Sequence, residues 1–174
     1  MLGACGSGSE DPGAANPESA ATDYERALAS APPALAELYA DGDAIIDGGL
    51  EAYEAQLANL RGHPVVVNAW ASWCGPCRLE FPDFQEVSAT RGSEIAFLGV
   101  NVQDAPAAAE DFLAQLPLPY PSVSDPDAEI KDDLGIVGLP GTAFYDSEGE
   151  LVHLKQGPYT SQEQLNADID SYLG

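Results

Sequence analysis

Val65-Val66-Val67-Asn68-Ala69-Trp70-Ala71-Ser72-Trp73-Cys74-Gly75-Pro76-Cys77 decides how this chain is read. The β-branched run at its start has the composition of a strand buried on both faces, and it leads straight into a Cys-Gly-Pro-Cys. A helix is expected at the cysteines. Pro76 suits the first turn, where its missing N–H costs nothing, and Leu79, Phe84 and Val87 are expected to supply the apolar contacts. Pro82 is expected to kink this helix without ending it, because helical patterning continues to Ala89.

A sulfur placed where a strand turns into a helix faces unpaired backbone N–H groups and the positive end of the helix dipole. Free cysteine ionises near ~8.5, whereas helix-terminal sites fall to roughly 3.5–7.5, so Cys74 is the candidate nucleophile. Cys77 lies nearly one turn on, within reach of a short disulfide but behind the helix end. Cys74 would attack a disulfide, and Cys77 would resolve the mixed disulfide. A zinc site would need further paired ligands, yet Cys5, His63 and His153 are scattered, so no metal and no cofactor are expected. A purely structural bridge is disfavoured because so short a loop staples nothing.

Working outward, residues 95–102 read as the next buried strand and 106–115 as a helix, with Asp104 as its cap. Residues 122–124 are a short extended piece, and 128–134 a helix stopped by Gly135. Residues 142–145 and 151–155 flank Asp146-Ser147-Glu148-Gly149 as an antiparallel hairpin. Ser161 caps a closing helix to Leu173, with Leu165 and Ile169 on its apolar face. Upstream, 34–39 is helix-compatible, Ala44-Ile45-Ile46 a small strand or hairpin, and 49–61 an amphipathic helix built on Leu50, Tyr53, Leu57 and Leu60. This order predicts an α/β fold with parallel pairing in its first half and an antiparallel hairpin in its second, within one mixed sheet.

The 174 residues, 45% of them hydrophobic, suffice for one core. Six basic against 29 acidic residues give a net charge of -23, which repels nucleic-acid phosphates and favours a strongly hydrated surface. No apolar run approaches the ~20 residues of a membrane-spanning helix. Residues 6–29 are mostly Gly, Ser, Ala, Pro and acidic residues with hardly any large apolar side chain, a composition that cannot offset its own ordering entropy. The expected organisation is a flexible tether over residues 1–30 and a folded domain over 31–174.

The segment from Val66 through Trp73-Cys74-Gly75-Pro76-Cys77-Arg78-Leu79-Glu80-Phe81 to Pro82 resembles the active-site segment of thioredoxin-like proteins of the TlpA/ResA type, and the likeness extends from about Ile45 to the C-terminus. It implies a three-layer α/β/α sandwich with an N-terminal extension and an extra segment before the hairpin. It also implies a thiol-disulfide oxidoreductase outside the bacterial cytoplasmic membrane, reducing disulfides in exported proteins such as apocytochrome c, with a disulfide-introducing oxidase of the same fold as the alternative, and drawing on a membrane electron donor or acceptor. Leu2-Gly3-Ala4-Cys5 resembles a lipobox, which would make Cys5 a lipid attachment site on the outer face of that membrane.

In Gly138-Leu139-Pro140-Gly141-Thr142 the resemblance implies a cis-proline facing the dithiol, leaving the Leu139 backbone to pair with an extended substrate. Trp73, Gly75 and Pro76 are the other expected substrate contacts, with Trp73 shielding the nucleophile. Trp70 is expected in the core. Thioredoxin's buried aspartate, six residues before its first cysteine, is matched here by Asn68, which cannot titrate. Asp104 and Glu80 are therefore the acid-base candidates, Glu80 being expected in a structural place or at the rim. Ala69, where the family usually has an aromatic residue, suggests looser packing beneath Trp70. Among the alternatives, a peroxidase of the same fold would need a threonine where Ala71 stands. Copper-delivery relatives use three residues between their cysteines, and a non-catalytic adaptor would leave insulin-type disulfides unreduced.

Overall fold

The computed structural model describes residue 28 and residues 30–174. Cys5, the lipobox-like stretch and nearly all of the expected tether lie outside the described residues. Leu28, which composition assigns to the tether, is buried, and Gly92, lacking a Cβ, makes room for its side chain.

The elements run α1 (Pro33–Ala40), β1 (Ile45–Ile46), α2 (Gly49–Asn59), β2 (Val65–Trp70), α3 (Gly75–Arg91), β3 (Ala96–Val102), α4 (Pro106–Gln115), β4 (Ser122–Asp125), α5 (Glu129–Asp133), β5 (Gly141–Tyr145), β6 (Leu151–Gln156) and α6 (Gln162–Leu173). They form one six-stranded sheet in the order β1-β4-β3-β2-β5-β6. Pairings among β1 to β4 are parallel, whereas β5 runs antiparallel to both β2 and β6. β1 is thus an edge strand paired with β4 and forms no hairpin. Gly149, at φ 84, closes the expected turn between β5 and β6.

Strand alternation divides the core in two. Val65, Val67 and Ala69 of β2 face Leu35 of α1, Tyr53 of α2 and Ile130 of α5. Val66 and Trp70 face Phe81 and Phe84 of α3, Phe112 of α4, and Leu165 and Ile169 of α6. The result is the three-layer sandwich with a mixed central sheet that the motif predicts.

Three local expectations are corrected. Ala69 does not lie beneath Trp70, because neighbouring residues of a strand point to opposite faces. Trp70 is tightly held, stacked on Phe112 at 5.2 Å, edge-on to Phe81, with its Nε1 donating to Ser122 Oγ at 3.0 Å. Leu79 is 79% exposed; the inward face of α3 is set by Cys77, Phe81, Phe84 and Ser88 at helical spacing, and Leu79 falls off it. His153, whose isolation in the sequence suggests a solvated place at an element end, lies within β6, stacked on Tyr172 at 3.8 Å. The helix does continue through Pro82. Among the described residues no helix is long and apolar enough to cross a membrane.

Candidate active site

β2 ends at Trp70, and Cys74 follows as the N-cap of α3, with Gly75 and Pro76 supplying its first turn. The Cys74 side chain accepts the Cys77 N–H at 3.2 Å, the capping bond that a helix mouth offers to a sulfur. Cys74 and Cys77 are joined as a disulfide with their Cα atoms 5.3 Å apart. Cys74 is 4% exposed and Cys77 is fully buried, so the first sulfur is the outer one, as the spacing predicts. Gly75, Pro76 and Leu79 lie exposed around it, and Trp73 stands 62% exposed with its Nε1 donating to Gln103 O at 3.1 Å.

The Leu139–Pro140 peptide bond is cis. Ala69 pairs with Gly141 across β2 and β5, so the register brings Pro140 beside the end of β2 that feeds the dithiol. Its carbonyl accepts the Gly157 N–H at 3.0 Å, and Leu139 is half-buried at the same rim.

Asp104 does not cap α4. The N-cap is Ala105, which makes no side-chain capping bond. The Asp104 carboxylate instead accepts from the Ser72 N–H, from Ser72 Oγ at 2.7 Å, from Asn101 Nδ2 at 3.0 Å and from the Ala105 N–H at 3.0 Å. It ties the turn before Cys74 to the end of β3. Its local spacing before Pro106 suggests a cap, but two of the four donors that claim it come from Ser72, 32 residues away in sequence.

Glu80 is not at the rim. It is fully buried on the inward face of α3, one turn past Cys77, and both of its oxygens are engaged. Oε1 accepts from Asn68 Nδ2 at 2.9 Å and Oε2 from the Tyr159 N–H at 2.9 Å. Burial pushes its carboxyl up from the ordinary 4.5 to about 7, a rise held back by those two donors and by nearby Lys155. Asn68 therefore does not leave the site without a titratable group, since it holds one from the neighbouring helix. Tyr159 is the participant that motif reading missed; its contribution is a backbone N–H, which carries no sequence signal.

A family model described as Redoxin matches residues 41–170. The thiol:disulfide interchange protein HelX of Rhodobacter capsulatus is 36% identical over 118 residues, 67% of this chain and 65% of that protein. The thiol-disulfide oxidoreductase ResA of Oceanobacillus iheyensis is 31% identical over 134 residues, 71% of this chain and 69% of that protein. The crystal structure of a DsbF homologue from Corynebacterium diphtheriae superposes with a TM-score of 0.60 at 34% identity, covering 66% of this chain and 75% of that one. The chain spans about half to two thirds of the length of the curated relatives it matches. With a Cys-Gly-Pro-Cys at the mouth of α3 and a cis-proline ahead of β5, the chain belongs to the Redoxin family, as a thioredoxin-like protein of the TlpA/ResA type.

Proposed function

We propose that this chain is a thiol-disulfide oxidoreductase that reduces disulfides in exported proteins, apocytochrome c among the candidates. The observation that carries the reading is the Cys74 sulfur at the N-cap of α3, paired with a buried Cys77 and followed one turn further on by a buried Glu80 whose carboxyl is pushed up to about 7. Starting from the dithiol, the Cys74 thiolate attacks one sulfur of a substrate disulfide and the other sulfur leaves as a thiolate. Cys77 then passes its proton to Glu80 and attacks Cys74 Sγ, expelling the second substrate sulfur and forming the Cys74–Cys77 disulfide. A membrane electron donor returns the pair to the dithiol.

Trp73, Gly75, Pro76 and Leu139 line the substrate side, with the Leu139 backbone pairing with an extended peptide next to Pro140. Asp104 acts as a positioning residue for the Ser72–Trp73 turn. Cys5 is the lipid attachment that would hold the domain at the outer face of the cytoplasmic membrane through the tether. The reducing direction is supported by the Gly-Pro between the cysteines, which resembles that of reducing thioredoxins.

Trapping with Cys77→Ser in the native host tests the function. Stable mixed disulfides through Cys74 are expected, and none with Cys74→Ser. A protein with both thiols free that leaves insulin disulfides intact refutes the catalytic reading. Equilibration with glutathione tests direction: a potential near thioredoxin's roughly -270 mV is expected, and one near the roughly -120 mV of DsbA refutes it.

A further inference from the structure

The Asn68 amide is committed at one end only. Its Nδ2 donates to Glu80 Oε1, while its Oδ1 is buried without a hydrogen-bond partner among the described residues. The sheet register sets its lateral neighbours: Gly99 on β3, which has no side chain, and Thr142 on β5. Thr142 is fully buried, and among the described residues its Oγ1 also has no partner. An acceptor lacking a donor thus stands beside a hydroxyl lacking an acceptor. Directly opposed residues have Cβ atoms about 4.5–5.5 Å apart, a span that one hydrogen bond or one enclosed water closes.

The position calls for a hydroxyl in particular. An ionised Glu80 accepts from Asn68 Nδ2, the arrangement observed. A protonated Glu80 has to donate, and with Oε2 held by the Tyr159 N–H, the acceptor at Oε1 is Asn68 Oδ1 after the amide turns over. The turned amide presents its Nδ2 toward Thr142. A hydroxyl can donate to Oδ1 in the first state and accept from Nδ2 in the second; a methyl can do neither.

We propose that Thr142 is a positioning residue whose hydroxyl lets the Asn68 amide turn over each time Glu80 gains or loses a proton. The inference rests on reading Glu80 as the proton acceptor for Cys77. The other groups acting on Glu80 are Asp83 on α3, Lys155 on β6 and Tyr159, whose hydroxyl donates to Asp168 of α6 at 2.7 Å. Lys155 is also the β6 register partner of Thr142, so a fixed positive charge borders the cluster.

The test is an NMR pH titration of the oxidised full chain, following the Glu80 carboxyl carbon and the Asn68 side-chain amide in the wild type, Thr142→Ser and Thr142→Val. In the wild type and the serine variant the Asn68 amide signals should move with the same midpoint as Glu80. In the valine variant the Asn68 amide loses its partner in both orientations, and because a buried N–H without an acceptor costs more than a buried carbonyl without a donor, the Glu80 midpoint should fall, by no more than about 0.7 of a pH unit, the worth of one hydrogen bond. Asn68 signals that stay still while Glu80 titrates overturn the proposal, as does a serine shift equal to the valine shift or an unchanged midpoint in valine. Should the valine variant not fold, the wild-type and serine titrations decide alone. No substrate is present, so a Glu80→Gln variant that still turns over at full rate would refute the catalytic role of Glu80 without touching this result.

Discussion

Replacing Glu80 with Gln should remove a pH dependence from the stability of the fold. The folded carboxyl titrates at about 7 and an ordinary one at 4.5, and the cause is burial. Between those values the folded state holds a proton that the unfolded state has lost, so stability falls as pH rises through this window. Below 4.5 both states are protonated and the fold carries no penalty; above about 7 the penalty is complete, at about 3 kcal/mol. Gln mimics the protonated acid, accepting from the Tyr159 N–H and donating to Asn68 once that amide has turned. Urea unfolding of the oxidised wild type and Glu80→Gln, from about pH 4 to about pH 8, keeps both cysteines out of the titration. The wild type should lose about 3 kcal/mol relative to the variant across the range, mostly between 4.5 and 7. A difference that stays flat would refute the claim that burial holds this carboxyl protonated near neutrality.

Two further substitutions probe the frame around the dithiol. Asp104→Ala strips the acceptor from Ser72, Asn101 and the Ala105 N–H and should cost about 1–3 kcal/mol in urea unfolding, while slowing mixed-disulfide formation by Cys74. An unchanged trapping rate would mean that the turn before Cys74 holds its shape without this anchor. In Gly99→Ala the new Cβ would lie 2.0 Å from Ser122 Oγ and 3.1 Å from Trp70 Nε1, breaking into their hydrogen bond. A loss of about 1–3 kcal/mol or more is expected, and a melting temperature equal to the wild type's would show that β3 and β4 can separate at no cost.

Much of the site was legible because its signals are local. The β-branched run, Pro76 at the first helical turn and the two-residue spacing of the cysteines each act within one strand or one helical turn, and the structure has β2, the Cys74 cap and the disulfide where those rules place them. Ser161 capping α6 and the turn closed by Gly149 are local in the same sense. Leu79 shows the limit even here: an apolar residue on a helix faces inward only if the helix is docked by that side, and Phe81 and Phe84 docked it by another.

The sequence by itself determined that a sulfur would sit at a helix mouth behind a buried strand, with its partner one turn on. Only the tertiary structure decided what surrounds the Glu80 carboxyl. Asn68, Glu80, Thr142 and the Tyr159 N–H come from β2, α3, β5 and the loop before α6. The proton affinity of a carboxyl depends on what surrounds it and how much water is excluded. Those are properties of the packed sheet and helices, and no spacing along the chain encodes them.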